Sequence, residues 1–249
     1  MISYFEYNGK KSSDFGIRLH NTLEFRGQNR NIEEVEVLGK DGGLLKENGY
    51  LRTFTKSLSF TVDIGSEFTG SDGSGAFDRA LEISKWLKVK GWHTFRYSMY
   101  PDYEFKATIT DEYNIADTIR RRGRGVINIK FFPVMYLAEQ TPKNVTSGTI
   151  LTNPCSRESL PKIEITATTP SLTIYNNGEI WLELKDLNGK ITIDSENMIV
   201  YDDLGSATNK MIKNRPLFPV LKNGDNNITF SNTDVTSFVI YERFGEDAI

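Results

Sequence analysis

The sequence predicts a mainly β protein, all-β except for one helix. An N-terminal β-sheet domain with a packed helix would precede a C-terminal antiparallel β-sandwich. The chain has 249 residues, enough for one large or two ordinary domains. Most segments alternate apolar and polar residues, which is the period of half-buried strands. A single segment, in the first half, has the spacing of an amphipathic helix.

This helix is predicted from Ala76 to about Lys90, after a Gly- and Ser-rich loop over residues 70–75. Its apolar residues recur every three or four positions and form a broad face. Ser74 is suited to cap the start of the helix, and Gly91 to end it.

Strands with period-2 alternation flank the helix on both sides. Their apolar positions are Leu58, Phe60, Val62, Phe105, Ala107, Ile109, Ile127, Ile129 and Phe131. The residues between them are mostly Ser, Thr, Asn and Lys, so each strand would have one buried and one exposed face. The first half is therefore predicted to be a sheet with one packed helix.

The second half contains seven short candidate strands and no helical pattern. They are Lys162–Thr168, Ser171–Tyr175, Glu179–Leu187, Lys190–Asp194, Met198–Tyr201, Asn227–Phe230 and Ser237–Glu242. The breaks between them include Asn176-Asn177-Gly178, Asn188-Gly189 and Asn223-Gly224-Asp225. Because Asn-Gly is a strong hairpin signal, these breaks predict turns of an antiparallel sandwich.

The domain boundary is predicted from charge and composition. Residues 1–137 carry 20 basic and 18 acidic residues, whereas residues 138–249 carry 10 and 15. Polar sequence with prolines lies at the changeover and is typical of a linker. We therefore predict domains at 1–137 and 153–249, with a linker at 138–152.

Composition argues against the most readily recognised enzyme classes. The two histidines, His20 and His93, lie in no pattern of a catalytic triad, and the one cysteine, Cys155, is expected to be a passive thiol. The sequence contains neither a Cys-x-x-Cys pair nor a phosphate-binding Gly-x-x-x-x-Gly-Lys loop. No apolar run is long enough for a membrane span, and the first residues carry no secretion signal. We predict no enzymatic activity and no cofactor.

The first half contains a set of short motifs in a fixed order: Asp14-Phe15-Gly16-Ile17-Arg18, Val35 to Gly42, Trp86-Leu87, Phe95-Arg96-Tyr97 and Phe131-Phe132-Pro133. Together they resemble those of the distal tail protein (Dit) family of long-tailed, non-contractile bacteriophages. The turn reads Leu38-Gly39-Lys40-Asp41-Gly42, where the family has a Pro-Gly-Arg-Asp-Gly-like sequence. Two positions therefore differ.

The second half carries three further motifs of the family, in the expected order. They are Asn153 to Ile163, Ile191 to Glu196, and Phe218-Pro219 followed by Gly224 to Ile228. The resemblance thus covers nearly the whole chain and implies a fold with an N-terminal ring-forming domain and a C-terminal galectin-like sandwich.

The resemblance implies that the chain is a structural protein of the virion. It would be a hexameric hub that joins the tail tube to the tail tip or baseplate, with a central channel for DNA passage. The implied partners are the major tail tube protein, a tail-tip protein, and receptor-binding or baseplate proteins. The protein would contact DNA only while the DNA passes through the channel, and we expect no interaction with a membrane. The protein would be assembled in the host cytoplasm and located at the virion tail tip.

Two segments are candidate interaction sites. The first belongs to a polar extension over residues 32–50 that would cross to a neighbouring protomer, and its residues are Val37, Leu38, Gly39, Lys40, Asp41 and Gly42. The second is a basic loop formed by Arg120, Arg121, Arg122 and Arg124. Such a loop can contact nucleic acid phosphates. It is also typical of a solvated turn or of a salt-bridge site between subunits, since Asp111, Glu112 and Asp117 lie nearby.

An alternative function is a carbohydrate-binding module that contacts host cell-wall sugars. Tyr175, Trp181 and Tyr201 could stack on sugar rings if they were exposed. We expect core packing for Trp181 and also for Tyr201. The absence of histidine after residue 93 argues against the usual polar set of a galectin site.

Overall fold

The computed structural model describes residues 3–25, 30–62, 74–110, 124–212, 218–231 and 234–248. The chain divides into two compact units. The first consists of Met1–Ala138 together with Asp247–Ile249, and the second of Glu139–Glu246. The protein is mostly β and its sheets are antiparallel, as the sequence predicted.

The elements of the first 138 residues are mostly strands. They are β1 (Phe5–Tyr7), β2 (Lys10–Lys11), β3 (Ile17–Leu19), β4 (Arg30–Glu36), β5 (Gly43–Leu51), β6 (Phe54–Val62), α1 (Ser74–Leu87), β7 (His93–Tyr97), β8 (Tyr103–Ile109) and β9 (Arg124–Leu137), with a 3-10 turn at Ser12–Phe15.

The remaining elements within the described ranges are strands and one short 3-10 turn at Thr208–Lys210. The strands are β10 (Lys143–Asn144), β11 (Thr149–Asn153), β12 (Lys162–Asn176), β13 (Glu179–Asp194), β14 (Ile199–Asp202), β15 (Gly205–Ser206), β16 (Met211–Ile212), β17 (Gly224–Phe230), β18 (Val235–Tyr241) and β19 (Gly245–Asp247).

The first unit is built on one antiparallel sheet of order β2-β1-β7-β8-β9-β6-β3. The predicted alternation holds, because Leu58, Phe60, Phe105 and Ile127 are all buried while their strand neighbours are not. Both β6 and β9 are longer than the predicted segments, because β6 already begins at Phe54 and β9 continues to Leu137. The apolar side chains of the sheet thus form one buried face.

Helix α1 covers this buried face. Its apolar side Ala80, Ile83, Trp86 and Leu87 is buried in the same core as the sheet aromatics. The helix starts at Ser74, two residues before the predicted start, and ends at Leu87, three residues before the predicted end.

The second unit is organised by a long hairpin of β12 and β13. Asn177 and Gly178 form its turn, and both have positive φ angles of 51° and 82°. This is the backbone of a two-residue type I′ turn, which Asn-Gly sequences favour. The turn predicted here is therefore present.

The prediction of a turn at Asn188-Gly189 is wrong. Both residues lie within β13, opposite Thr168 and Ala167 of β12. The positive φ of 107° at Gly189 is accommodated within the strand as a local irregularity. Two pairs of predicted strands are therefore two continuous strands of 15 and 16 residues.

The two halves of this hairpin join two groups of strands. The half that contains residues 162–167 pairs with β18, and β14 pairs with the adjacent end of β13. The other half pairs with β17 and β16, and β17 pairs in turn with β11. The rings of Phe230 and Phe238, one from each group, have centroids 5.3 Å apart. The groups are therefore in contact.

The predicted linker is part of the second unit. Its residues 143–144 and 149–152 lie in β10 and β11, which pair with β18 and β17. Val145 and Leu151 are buried, so this polar segment contributes to a core. At the other end, Asp247–Ile249 belong to the first unit, where the Ala248 amide donates to the Pro133 carbonyl at 3.0 Å.

These limits lead to a prediction about fragments of the second unit. We expect Glu139–Glu246 to unfold cooperatively as an isolated fragment, as followed by circular dichroism. A fragment that starts at Asn153 should fail to do so, because it lacks Val145 and Leu151. It also lacks Gln140, which exchanges two hydrogen bonds with the Phe244 backbone at 2.6 and 2.8 Å. Equal melting temperatures for both fragments would contradict this prediction.

Candidate interaction surfaces

The segment that contains the first candidate site forms a separate two-stranded hairpin of β4 and β5. The two strands pair from Arg30 opposite Leu51 to Glu36 opposite Gly43. Within the described residues, neither strand pairs with the main sheet. The hairpin therefore gains no support from a third strand.

The candidate residues Val37 to Gly42 form the tip of this hairpin. The Lys40 amide donates to the Val37 carbonyl at 3.1 Å, which closes the turn. Gly39 and Gly42 have φ angles of 84° and 76°, where residues with a side chain are strained. Leu38 is fully exposed at the tip. The tip thus has a defined backbone and presents an apolar side chain to solvent.

Both faces of the hairpin mix exposed apolar and charged residues. Directly opposite residues of an antiparallel pair have their side chains on the same face of the hairpin. Glu34 and Leu45 are therefore on one face, and Val35 and Leu44 are on the other. Leu45 is 70% exposed, and Tyr50 at the base is 62% exposed. A lone hairpin is marginally stable in water, and exposed clusters of this kind mark binding surfaces. The hairpin is therefore the best candidate contact surface of the first unit.

The basic loop lies mostly outside the described residues. Arg120, Arg121 and Arg122 are among the residues whose structure is not described, and the same is true of the side chain of Arg124. The Arg124 backbone begins β9 and pairs with Thr61 of β6. The structure therefore places the end of this loop beside β6 and leaves its role a prediction.

The second unit buries one of the aromatic residues considered for sugar binding. Trp181 is 6% exposed, and its indole nitrogen donates to the Val220 carbonyl at 2.8 Å. It is the extra residue of β13 at a register shift, because Ile174 pairs with Leu182 and Tyr175 pairs with Ile180. Trp181 is therefore a core residue, as the sequence indicated.

The prediction that Tyr201 packs in the core is wrong. It is 37% exposed, because it lies on the outer side of β14 opposite Thr192. Tyr241, which sequence reasoning did not single out, lies on the same side, and the Lys162 ammonium is 4.7 Å from its ring centroid. The alternation within β18 could have indicated that Tyr241 is on the outer side.

A three-residue ion cluster lies between these tyrosines. Glu164 accepts salt bridges from Lys162 at 2.7 Å and from Lys190 at 2.8 Å. The hydrogen bond from Lys162, followed by that from Lys190, lowers the pKa of Glu164. The outer side of this sheet is thus a polar surface with an aromatic residue at each end.

A second ion cluster holds the end of β13. The two guanidinium nitrogens of Arg243 contact the Asp194 carboxylate at 2.7 and 3.1 Å. Burial alone would raise the pKa of Asp194, but hydrogen bonds from Arg243 and Asn197 lower it to about 2. Asp194 belongs to one of the motifs that carry the family resemblance, and the structure gives that motif a structural role.

Buried amides explain two other motifs of the resemblance. The Asn226 side chain donates to the carbonyls of Leu151, Lys222 and Gly224 and accepts from the Lys222 amide. The Asn153 side chain donates to the Leu221 carbonyl at 3.3 Å. These contacts join the segments that begin at residues 153 and 218. The motifs are therefore needed for packing.

The described residues show no arrangement typical of a catalytic or metal site. The His93 ring contacts the Lys90 carbonyl at 2.9 Å, and His20 is exposed. Burial and the nearby Glu246 raise the pKa of the Cys155 thiol to about 11, which makes it a poor nucleophile. Among these residues, no group of three or more His, Cys, Asp or Glu could hold a metal ion. None of their helices is long and apolar enough to cross a membrane.

The chain belongs to the family described as the phage tail protein N-terminal domain. The model of this family matches residues 1–131, which is more than half of the sequence. Among the curated proteins, no significant match to the chain was found. The protein is therefore a phage tail protein, and its place is the virion tail.

The fold of the whole chain is similar to that of a solved distal tail protein. The SPP1 Dit protein, described as a paradigm of the hub adsorption apparatus in phages that infect Gram-positive bacteria, superposes with a TM-score of 0.63. The match covers 96% of this chain and 97% of that protein at 15% sequence identity. At this identity the match shows a shared fold, in agreement with the predicted Dit-like architecture.

A first prediction for these surfaces separates the buried aromatic from the exposed one. We expect Trp181→Ala to lower the free energy of unfolding by about 3–5 kcal/mol, because it leaves a cavity and an unpaired carbonyl. Tyr201→Ala should change it by less than about 1 kcal/mol, since the ring is partly in water. Urea unfolding of the full chain measures both. A larger loss for Tyr201→Ala would contradict the assignment.

A second prediction concerns acid stability. The pKa of Asp194 is about 2 in the folded protein, below its value of 3.8 in an unfolded chain. The carboxylate therefore contributes stability above pH 4, and this contribution is lost as the pH falls from about 4 to 2. We expect Asp194→Ala to cost about 3 kcal/mol at pH 7 and much less near pH 2.

Unfolding in urea at both pH values checks the acid-stability prediction. Glu179→Ala serves as the control, since this carboxylate is 83% exposed and its contact with Lys222 is 3.8 Å long. It should have little effect at either pH. If the cost of Asp194→Ala were the same at pH 7 and pH 2, the proposed contribution of its ionised form would be wrong.

Proposed function

We propose that this protein is the distal hub of a phage tail: a homo-hexameric ring that joins the tail tube to the tail tip or baseplate. Its partners would be the major tail tube protein, a tail-tip protein, and receptor-binding or baseplate proteins. A central channel would pass DNA during genome delivery. The role is structural and requires no cofactor or catalytic residue. The protein would assemble in the host cytoplasm and lie at the tail tip.

The observation that carries this proposal is the exposed β4–β5 hairpin. It extends a phage tail protein of Dit-like fold with a two-stranded arm that its own main sheet does not support. Burial of Leu38 and Leu45 against a neighbour would contribute about 2–3 kcal/mol each. In a closed ring each copy would both supply an arm and receive one, as heterologous interfaces require.

The basic loop from Arg120 to Arg124 belongs to the proposal in either of two roles. It would face the channel or make salt bridges between subunits. The second role is favoured by the acidic residues Asp111, Glu112 and Asp117, which precede the loop in the sequence. In either role the arginines would act through exposed charge, so their effect on assembly should weaken with salt.

A carbohydrate-binding second unit remains the alternative function. The observation that favours it is the surface with Tyr201 and Tyr241 on either side of the Lys162–Glu164–Lys190 cluster. Saturation of this surface by host wall polysaccharide at about micromolar concentration, lost in Tyr201→Ala, would favour this alternative. Binding no tighter than about millimolar would favour the adaptor role.

Deletion of Gly39–Tyr50 tests the proposed hub. None of the residues with a described side chain in this range is buried, so the free energy of unfolding should not change. The hexamer should be lost, because the arm no longer reaches its neighbour. Native mass spectrometry across a concentration series measures the assembly, and circular dichroism measures the fold.

A point variant and its control make this test sharper. Leu38→Ser combined with Leu45→Ser should weaken the ring, whereas Met99→Ser should not. Met99 is also an exposed apolar residue of the first unit, but it lies outside the hairpin. A deletion variant that still forms a hexamer would rule out this role for the hairpin.

A further inference from the structure

The second unit has one sheet edge that is comparatively long and uncharged. Strand β11 pairs with β17 on one side and with no described strand on the other. Its sequence, Thr-Ile-Leu-Thr-Asn, contains no charged residue and no proline, and its register with β17 has no bulge. Proteins usually protect a sheet edge by short length, charge, proline or a bulge, because an open edge can pair with another chain. Strand β11 has none of these last three features.

The other edge strands of the two main sheets are short or charged. Strands β2, β10, β15 and β16 have two residues each. Strand β3 has three residues and includes Arg18, and β19 has three residues, of which two are acidic. Among the described strands at these sheet edges, β11 is therefore the one that is open to pairing over five uncharged residues.

The register with β17 identifies the open backbone groups of β11. Leu151 lies opposite Asn226, whose side-chain amide donates to the Leu151 carbonyl at 3.2 Å, so the backbone groups of Leu151 are directed toward β17. Successive residues of a strand direct their amide and carbonyl groups to opposite sides. The groups of Ile150 and Thr152 therefore point away from β17. Within the described residues, these two amides and two carbonyls have no hydrogen-bond partner.

The side chains beside these groups add an apolar contact and a negative charge. Ile150 is 58% exposed, so no described segment covers this edge. The Thr152 hydroxyl donates to the carboxylate of Asp225 at 2.7 Å, and Asp225 is exposed on β17. Leu151, between them, is buried, so a strand added here would extend the core on its inner side.

We propose that β11 receives an extended strand of another tail protein, an inference that rests on the proposed place of this chain in the tail. The open backbone groups of Ile150 and Thr152 lie in one line, and the backbone of an antiparallel strand can pair with all of them. The partner strand has an apolar side chain beside Ile150 and a basic side chain beside Asp225.

A second copy of this chain fits the edge less well than a basic partner. Residues 138–249 carry 10 basic and 15 acidic residues, so two such units repel each other and a basic segment is attracted. Pairing of β11 with β11 of another copy would also be a twofold contact, whereas neighbours in a ring of the proposed kind meet head to tail.

Amide hydrogen exchange in intact tails tests this proposal. In the purified full-length chain, the amides of Ile150 and Thr152 should exchange rapidly, because they are unpaired, whereas that of Leu151 should be protected by β17. In tails isolated from virions, both open amides should exchange about 100-fold more slowly or less, because strand pairing protects them. A benzophenone amino acid in place of Ile150 should crosslink to a different tail protein, which mass spectrometry of the crosslinked peptide identifies.

Ile150→Lys and Met198→Lys are a matched pair of variants. Each replaces an exposed apolar residue of the second unit by lysine, but Met198 lies in the turn after β13. Lysine on an edge strand opposes strand addition. In Ile150→Lys tails, the Thr152 amide should therefore exchange as fast as in the purified chain, whereas in Met198→Lys tails it should stay protected. Both purified variants should melt like the wild type, since neither residue is in a core.

The outcomes separate this proposal from the proposed hub. Equal exchange of the Ile150 and Thr152 amides in tails and in the purified chain, with the ring present at the tail end, would overturn the strand addition alone. Protection that is already present in the purified chain, or a crosslink to the same chain, would assign the edge to a second copy and also overturn it. A wild-type protein that forms no ring in the tail would instead overturn the proposed function itself.

Discussion

The packing of Trp86 against the first sheet is the contact on which the other surfaces of this unit depend. Its ring stacks on Phe15 and Phe5, with centroids 4.4 and 5.5 Å away, and its indole nitrogen donates to the Tyr7 carbonyl at 2.7 Å. These contacts fix α1 on one side of the sheet and hold β1 against the helix. Because one side is covered, the alternation of the strands must leave the opposite side polar.

This arrangement separates the residues that fold the chain from those proposed to assemble it. The core of the first unit is rich in aromatic residues, whereas the β4–β5 hairpin contributes no residue to it. Changes at the exposed Leu38 should therefore leave the stability of the unit unchanged. The second unit follows the same rule, because Trp181 supports the core and Tyr201 is available to a partner.

Much of the fold could be predicted from the sequence because its patterns are local. Apolar residues with a period of 3.6 predicted α1, and apolar residues with a period of 2 predicted β6. The turn at Asn177-Gly178 was predicted because Asn and Gly readily adopt positive φ angles. The same Asn-Gly signal was wrong at 188–189, because pairing with β12 keeps that segment in a strand. Local composition also misjudged residues 143–152 and Tyr201, whose environments depend on strands distant in sequence. The sequence predicted an extension over residues 32–50. It did not predict that β4 and β5 pair with each other within this extension.

The return of Asp247 and Ala248 to the first unit has a consequence for protein synthesis. The first unit cannot be completed until the whole of the second has left the ribosome, since Ala248 is part of its core. At roughly 5–20 residues per second, the 108 residues from Glu139 to Glu246 delay that completion by some 5–20 seconds. Nascent chains with an unfinished first unit would thus be poor building blocks for the proposed ring. Translation order would itself limit premature assembly on polysomes.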